Sequence, residues 1–358
     1  MAAAVAADVA AAVAAAVVVI DMKNRLLLQF HITGRCNLRC KHCYRTEGDV
    51  EPLTTRDIFQ ILEQFLQLQA YYNRHYGIQK RGHINITGGE PFIRRDIGEI
   101  LTFLGEHRDQ VSYGILSNGS FLDEENMALL RQTGAAFVQL SIDGDRDTHD
   151  ALRAPGDYDR VLDVAQKLEK GGIPTYISFT ANRENYCHLP EVAAQCRKRG
   201  ITKLWSDRLV PIGQGQALDT ITPQLLPDYL RTLKKAGKFR LSKTRVTMNR
   251  ALQFLNSKGA IYACSAGDSL ITVDEFGTVM PCRRMPIPCG NALTGSLETI
   301  YREHPVFREL RSAKIPEACS QCRYQTQCKG GARCQAYALY GDWHRADPAC
   351  PIANAPQC

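Results

Sequence analysis

Residues 26–44 read LLLQFHITGRCNLRCKHCY, and this stretch decides how the rest of the chain is interpreted. The apolar run from Leu26 to Ile32 is followed at once by a C-x3-C-x2-C loop that contains Cys36, Cys40 and Cys43. Three thiolates this close together can ligate one four-iron cluster and leave its fourth iron open to another molecule. Zinc is the alternative, but a structural zinc site needs four protein ligands, and His42 would have to supply the fourth from a cramped position. The loop therefore favours an iron–sulfur cluster.

Short apolar runs bounded by polar turns recur along the chain, and stretches with the apolar spacing of a helix lie between them. Thr55 to His75 and Tyr158 to Lys170 are two of the predicted helices. Alternating strands and helices predict a parallel sheet with right-handed crossovers, whose chemistry sits at the carboxyl ends of the strands. The six predicted strands are Leu26 to Ile32, His83 to Thr87, Val111 to Leu116, Phe137 to Ile142, Thr175 to Thr180 and Thr202 to Ser206.

The composition of this 358-residue chain is that of a soluble globular protein with one large or two unequal domains. A hydrophobic fraction of 44% and a charged fraction of 23% argue against disorder, collagen-like repeats and multi-span membrane architecture. The net charge of +7 contains no run of five basic residues and gives little support to nucleic-acid binding. Fourteen cysteines, clustered at two places, indicate metal binding rather than disulfides. Residues 1–24 are a low-complexity segment that fits neither a signal peptide nor a membrane helix.

The cysteine loop after the first strand resembles the signature of the radical S-adenosylmethionine (SAM) enzymes. Residues 25–235 are accordingly similar to the family's partial (β/α)6 TIM-like barrel, an α/β fold. The resemblance implies that Cys36, Cys40 and Cys43 hold a [4Fe-4S] cluster whose open iron chelates SAM. TGGEP at 87–91 resembles the turn that binds the SAM amino group, and SNG at 117–119 the turn that faces the ribose. The residues that the resemblance places around SAM are Tyr44, Gly88, Gly89, Glu90, Pro91, Ser117, Asn118, Ser141, Arg153 and Ile212.

The second concentration of cysteines, in the last hundred residues, resembles the SPASM extension of peptide-modifying radical SAM enzymes. This resemblance implies a helical linker at 236–258 and a small, loop-rich, iron–sulfur-binding domain at 259–358 with two auxiliary [4Fe-4S] clusters. A double zinc ribbon is the alternative. The sequence departs from the family at Cys334, which follows the preceding cysteine after five residues instead of three. The implied ligands are Cys264, Cys282, Cys289 and Cys334 for the first auxiliary cluster, and Cys319, Cys322, Cys328 and Cys350 for the second.

Three cysteines remain outside these sets: Cys187, Cys196 and Cys358. Cys196 stands in an apolar helical context and is predicted to lie in the core. Cys187 opens the helix after the fifth strand, near the predicted active end of the barrel. It is therefore the candidate catalytic hydrogen-atom donor, although a buried structural thiol is the simpler interpretation.

The resemblance implies an enzyme that splits SAM into methionine and a 5′-deoxyadenosyl radical, which abstracts hydrogen from a substrate. The predicted substrate is a ribosomally made peptide, and the predicted modification is a crosslink. The alternatives are tetrapyrrole (haem) or quinone cofactor synthesis and peptide epimerisation. Sulfatase maturation is disfavoured because Arg283 stands where that subgroup has an aspartate. An iron–sulfur electron carrier is the non-enzyme alternative, but it has no use for SAM-binding turns.

The resemblance also implies partners. A flavodoxin or ferredoxin would donate electrons to a cytoplasmic enzyme without nucleic-acid or membrane partners. Because only 35 residues precede Cys36, a separate leader-peptide recognition protein is expected for a peptide substrate.

Overall fold

The protein was analysed as a computed structural model that describes residues 25–45, 48–238, 242–256, 261–312 and 314–354. The predicted low-complexity segment at 1–24 and Cys358 lie outside the described residues. Within the described ranges, nine strands form one sheet in the order β7-β6-β5-β4-β3-β2-β1-β8-β9. The strands are Leu27–Thr33 (β1), Gly82–Gly88 (β2), Val111–Leu116 (β3), Phe137–Ser141 (β4), Thr175–Ala181 (β5), Lys203–Arg208 (β6), Arg245–Thr247 (β7), Leu270–Val273 (β8) and Val279–Met280 (β9).

All six predicted strands are present as β1 to β6, and each pairs in parallel with its neighbour in chain order. The predicted α/β partial barrel is thus confirmed. The helices of the barrel region are Thr55–Tyr76 (α1), Ile97–Glu106 (α2), Glu124–Thr133 (α3), Arg146–Leu152 (α4), Asp157–Lys170 (α5), Leu189–Lys198 (α6) and Leu226–Ala236 (α7). The C-terminal region adds Leu297–Glu303 (α8), Pro305–Ser312 (α9), Gln325–Cys328 (α10) and Arg333–Tyr340 (α11).

Local sequence explains where α1 begins, ends and packs. Thr54 caps the helix by accepting a hydrogen bond from the backbone of Asp57, whose carboxylate accepts one from the Thr54 backbone in return. Gly77 ends the helix with φ at 63°, a left-handed conformation that glycine adopts without strain. The apolar face then packs on the sheet and buries Ile58, Ile61, Leu62, Phe65 and Leu68.

Along each strand, side chains point alternately to the helix-facing core and to the inner face of the barrel. Leu28, Phe30 and Ile32 of β1 are fully buried in the main core, as are Ile84 and Ile86 of β2. Because successive side chains of a strand point to opposite faces, the intervening positions line the inside of the barrel. On β1 and β2 these inner positions are mostly polar, with Gln29, His31, Thr33, His83, Asn85 and Thr87.

Three strands were not predicted, and they change the description of the linker. The described part of 236–258, expected to be helical, carries β7 and a single 3-10 turn at Gln253–Asn256. Beyond it, β8 pairs in parallel with β1, so the C-terminal region extends the barrel sheet. Short strands of two to four residues carry too little periodicity to be recognised in a sequence. No helix among the described residues is long and apolar enough to span a membrane.

Candidate active site

The cysteine loop is seated on the glycine-rich turn that ends β2. The backbone N–H of Gly89 donates to the Thr33 carbonyl at 2.8 Å, and that of Glu90 to the Arg35 carbonyl at 2.8 Å. A Cβ atom on Gly89 would overlap the Arg35 carbonyl, and one on Gly88 the Thr33 carbonyl. Gly88 has φ at 138°, which side chains of L-residues rarely adopt. Both glycines are therefore required for the close approach of β1 and β2 beneath the cysteines.

Glu90 is fully buried and organises the next turn. Its carboxylate accepts hydrogen bonds from the Ser117 hydroxyl at 2.9 Å and from the Asn118 backbone at 2.7 Å. Burial raises the pKa of Glu90 to about 7, although these hydrogen bonds oppose the shift. The Asn118 side chain lies 3.9 Å from the Cys36 sulfur and donates to Asn37 at 2.8 Å. Glu90 thus holds the predicted ribose turn against the cysteine loop.

Arg153, at the end of α4, reaches the other side of the loop. Its Nε donates to the Asp143 carboxylate at 2.7 Å, and its Nη1 lies 3.8 Å from the Cys40 sulfur. Burial opposes ionisation of Asp143, but Arg153, the neighbouring histidines and a backbone hydrogen bond from Thr180 together outweigh it, and the pKa of Asp143 is lowered to about 2. Burial lowers the pKa of His42 to about 4, so this imidazole is neutral. Arg153 is therefore a buried, paired cation rather than a surface one.

The remaining predicted SAM contacts gather around the same loop. The Gln214 backbone donates to the Cys43 carbonyl at 2.8 Å, which seats the segment after β6 on the cysteines next to Ile212. Tyr44 meets the ring of His31 edge-on, with 6.0 Å between the centroids. Ser141 ends β4 on the inner face, and Pro91 is buried in the 3-10 turn after Glu90. The chain thus brings the predicted contacts to one edge of the barrel.

Three cysteines of the first auxiliary set lie together in a second, smaller core. Cys282 and Cys334 are buried there, and Cys264 packs against them. Burial raises the pKa values of Cys282 and Cys334, and Cys264 adds to both shifts. Cys289, by contrast, belongs to the main core, and burial alone accounts for its raised pKa of about 12.

The second auxiliary set converges on one small cavity in the C-terminal region. Its lining includes Cys319, Cys322, Cys328 and Cys350. Burial raises the pKa of Cys319 to about 11, and the neighbouring Cys350 and Cys322 add to the shift. A cavity with four thiols and apolar walls has the donor set that a [4Fe-4S] cluster requires.

Asp347 connects this cysteine region to the barrel, and no motif in the sequence indicates this role. Arg208, the last residue of β6, donates to both Asp347 oxygens, at 2.8 and 2.6 Å. The same carboxylate accepts from the backbones of Ala332 and Ala349, at 2.9 and 3.0 Å. Both ionic partners are buried. Their separation by 139 residues hides the pair from any local motif.

Cys187, the candidate hydrogen-atom donor, is exposed in the 3-10 turn between β5 and α6, so its interpretation as a buried structural thiol is wrong. Its thiol faces the Glu184 carbonyl at 3.7 Å. Cys196 is fully buried in the main core, as predicted. Arg283 is also buried, 3.5 Å from Asp274, so it is a structural cation.

Two family models match the chain. The radical SAM superfamily model matches residues 30–196, and a model of an iron–sulfur cluster-binding domain, SPASM, matches residues 254–323. The first range contains the C-x3-C-x2-C loop and both turns beside it, and the second contains Cys264, Cys282, Cys289, Cys319 and Cys322.

Relatives similar in sequence match most of this chain, and solved structures share its fold. The AdoMet-dependent heme synthase of Methanosarcina barkeri is 27% identical over 90% of this chain and 95% of its own length. The mycofactocin maturase MftC of Mycolicibacterium smegmatis is 28% identical over 91% of this chain and 82% of its own length. SuiB of Streptococcus suis, solved with S-adenosylmethionine, superposes with a TM-score of 0.73 at 17% identity, over 91% of this chain and 77% of SuiB. The chain is a radical SAM enzyme with a C-terminal SPASM iron–sulfur domain.

Proposed function

We propose that this enzyme uses SAM-derived radical chemistry to modify a ribosomally made peptide, most simply by forming a crosslink. The observation that carries the proposal is the joint occurrence of a three-cysteine loop beside a polar barrel interior and a complete second set of cysteines. Two relatives that match this chain along most of its length are named as a maturase, MftC, and as a peptide cyclase, the PqqA peptide cyclase of Granulibacter bethesdensis. Crosslinking is oxidative, and a cysteine-rich C-terminal region offers a path for the electrons removed.

In this proposal Cys36, Cys40 and Cys43 hold a [4Fe-4S] cluster. There these residues would hold the group whose chemistry, when it is bound and reduced, would be to supply an electron for the cleavage of SAM and so give the radical that removes a hydrogen atom from the substrate. The residues of the chain bind and orient. Gly88 and Gly89 let the turn after β2 pack directly on the backbone that leads into the cysteine loop, and Arg153 supplies positive charge beside Cys40.

The turn that Glu90 organises defines the neighbouring wall of the SAM site. Ser117 and Asn118 are fixed by the Glu90 carboxylate, so we assign Glu90 a positioning role. Ser141, Tyr44 and Ile212 complete the proposed contacts on the inner face and the loop after β6. Cys187 stays a candidate donor only for the epimerisation alternative.

We further propose two auxiliary clusters, which brings the total to three. Cys319, Cys322, Cys328 and Cys350 line one cavity and form the second auxiliary set. Cys264, Cys282 and Cys334 share the smaller core and form the first set. Cys289 is retained as the fourth ligand of that set from the family resemblance, and its place in the main core makes it the least supported member.

Incubation of the reconstituted enzyme with SAM, a reductant and candidate substrates tests the function. We expect 5′-deoxyadenosine together with a product of a short peptide encoded beside the gene. A crosslink lowers the peptide mass by two hydrogen atoms, whereas epimerisation leaves the mass unchanged in water and adds one deuterium in heavy water. Absence of any peptide product, with conversion of a tetrapyrrole instead, would overturn the peptide assignment.

Tetrapyrrole synthesis is the second candidate because the heme synthase of M. barkeri is as similar to this chain as the peptide maturases are. We also propose an external electron donor such as a flavodoxin or ferredoxin, and a leader-peptide recognition protein. Pull-down with the peptide precursor tests the recognition protein directly.

A further inference from the structure

Strand β6 presents an unusual inner face beside the edge of the sheet. Along it Lys203, Trp205 and Asp207 alternate with buried residues and point into the barrel. Its neighbour β7 is the last strand of the sheet on that side. The Asp207 carboxylate accepts from Arg284 at 2.8 Å, which links β6 to the segment after β9. Lys203 and Trp205 thus lie where the barrel is open at its edge.

Aromatic rings hold two cations in place on this face. The Arg250 guanidinium lies over the Trp205 ring at 4.3 Å, and the Lys203 ammonium over the Tyr176 ring at 4.8 Å. The Trp205 ring is itself fixed, because its N–H donates to the Gln139 amide at 3.1 Å. A cation held over an aromatic face keeps its hydrogen-bond donors free for a ligand.

Arg250 lies near one acid, Asp207, and helps to lower its pKa, but that carboxylate already forms an ion pair with another cation. Asp207 is engaged by Arg284, and in the described part of the chain no carboxylate lies within ion-pair distance of Lys203, Arg245 or Arg250. Burial and the proximity of Arg250 lower the pKa of Lys203. The buried Nε of Arg250 also has no hydrogen-bond partner. Partly buried like charges with unmet donors are costly unless an anion binds between them.

We infer that Lys203 and Arg250 form a binding site for a carboxylate of the substrate, with Trp205 as the platform beside it. The inference rests on the proposed function and adds a substrate class to it: a peptide that enters the barrel with a free C-terminal carboxylate or an acidic side chain. Lys203 is the first residue of β6 and Trp205 lies two positions further on, so the site would hold one end of the substrate on the inner face of the barrel while the rest extends along β6 toward the carboxyl ends of the strands, where the cysteine loop lies.

Equilibrium dialysis of the reconstituted, SAM-bound enzyme tests the inference with pools of random hexapeptides of neutral residues. One pool has free C-termini, a second has amidated C-termini, and a third is amidated but contains one glutamate. Coproporphyrin III and its tetramethyl ester form a separate pair. We expect the carboxylate-bearing member of at least one comparison to bind about ten-fold more tightly, as charge-assisted contacts allow.

The variant Lys203→Gln/Arg250→Gln should lose that preference, and Arg250→Lys should keep part of it. The control Arg183→Gln/Arg231→Gln also removes two positive charges, both from exposed ion pairs, and should bind as the wild type does. Equal binding of acids and their neutral counterparts by the wild type overturns the inference without any variant. Preference for coproporphyrin alone would keep the carboxylate site but contradict the peptide function, and failure to cleave SAM would contradict the proposed function alone.

Discussion

At the scale of single residues, Arg153 is both a proposed SAM ligand and the ion-pair partner of a buried acid, Asp143. Asp143 precedes it by ten residues and lies 2.7 Å away, inside the fold. A local motif shows which charged side chains the sequence contains. Which of them form an ion pair depends on how β4 packs against α4 in the fold. The same limitation hid the anchoring of Glu90 by Ser117 and Asn118.

Replacement of Arg153 by alanine should therefore destabilise the protein as well as weaken SAM binding. Loss of the guanidinium leaves Asp143 buried without its ion-pair partner, which costs about 3–5 kcal/mol. Urea unfolding under anaerobic conditions measures the loss. Arg183→Ala removes an exposed pair with Asp219 and should change stability by less than about 1 kcal/mol. Equal effects of the two substitutions would contradict the buried-pair account.

Gly89→Ala should displace the cysteine loop. Its Cβ would overlap the backbone carbonyl of Arg35, which cannot move without shifting Cys36. We expect at least a ten-fold loss of SAM affinity, measured by anaerobic dialysis. Gly98→Ala is the matched control, because nothing lies within 4 Å of a Cβ there and the residue is in α2. That change should leave SAM affinity unaltered; a normal affinity in Gly89→Ala would refute the steric argument.

At the scale of elements, periodicity was sufficient for β1 to β6 because each has five to seven residues and alternates between faces. The strands β7 to β9 have two to four residues, and β8 joins the sheet only through its long-range pairing with β1. Contacts between the barrel and the cysteine region were likewise beyond prediction, since Arg208 and Asp347 stand far apart in the sequence.

Asp347→Asn should loosen the C-terminal cysteine region from β6. The amide cannot accept the bidentate pair from Arg208 while it also accepts from Ala332 and Ala349. Removing the charge from one partner of a buried pair costs about 3–5 kcal/mol. We expect a lower melting temperature and loss of roughly four irons per chain, the content of one cluster, by elemental analysis. The control Asp219→Asn, which alters an exposed ion pair, should retain all iron. An unchanged iron content in Asp347→Asn would contradict the proposed role of the Arg208–Asp347 pair.

At the scale of the whole molecule, we propose that SAM is cleaved at one edge of the barrel and that electrons are transferred through the C-terminal region. The two parts share a sheet, through the pairing of β8 with β1, and a buried ion pair. The cysteine sets are nevertheless separate. Damage to the loop at Cys36, Cys40 and Cys43 should consequently leave the auxiliary sets able to hold iron.

The most direct measurement compares the reconstituted wild type with the variant Cys36→Ala/Cys40→Ala/Cys43→Ala. Iron analysis and 5′-deoxyadenosine production under dithionite are recorded on the same samples. We expect about twelve irons per chain and SAM cleavage for the wild type. The variant should hold about eight irons and cleave no SAM, since each cluster holds four irons. SAM cleavage by the variant, or a wild type with about four irons and bound zinc, would contradict the proposed cluster assignment.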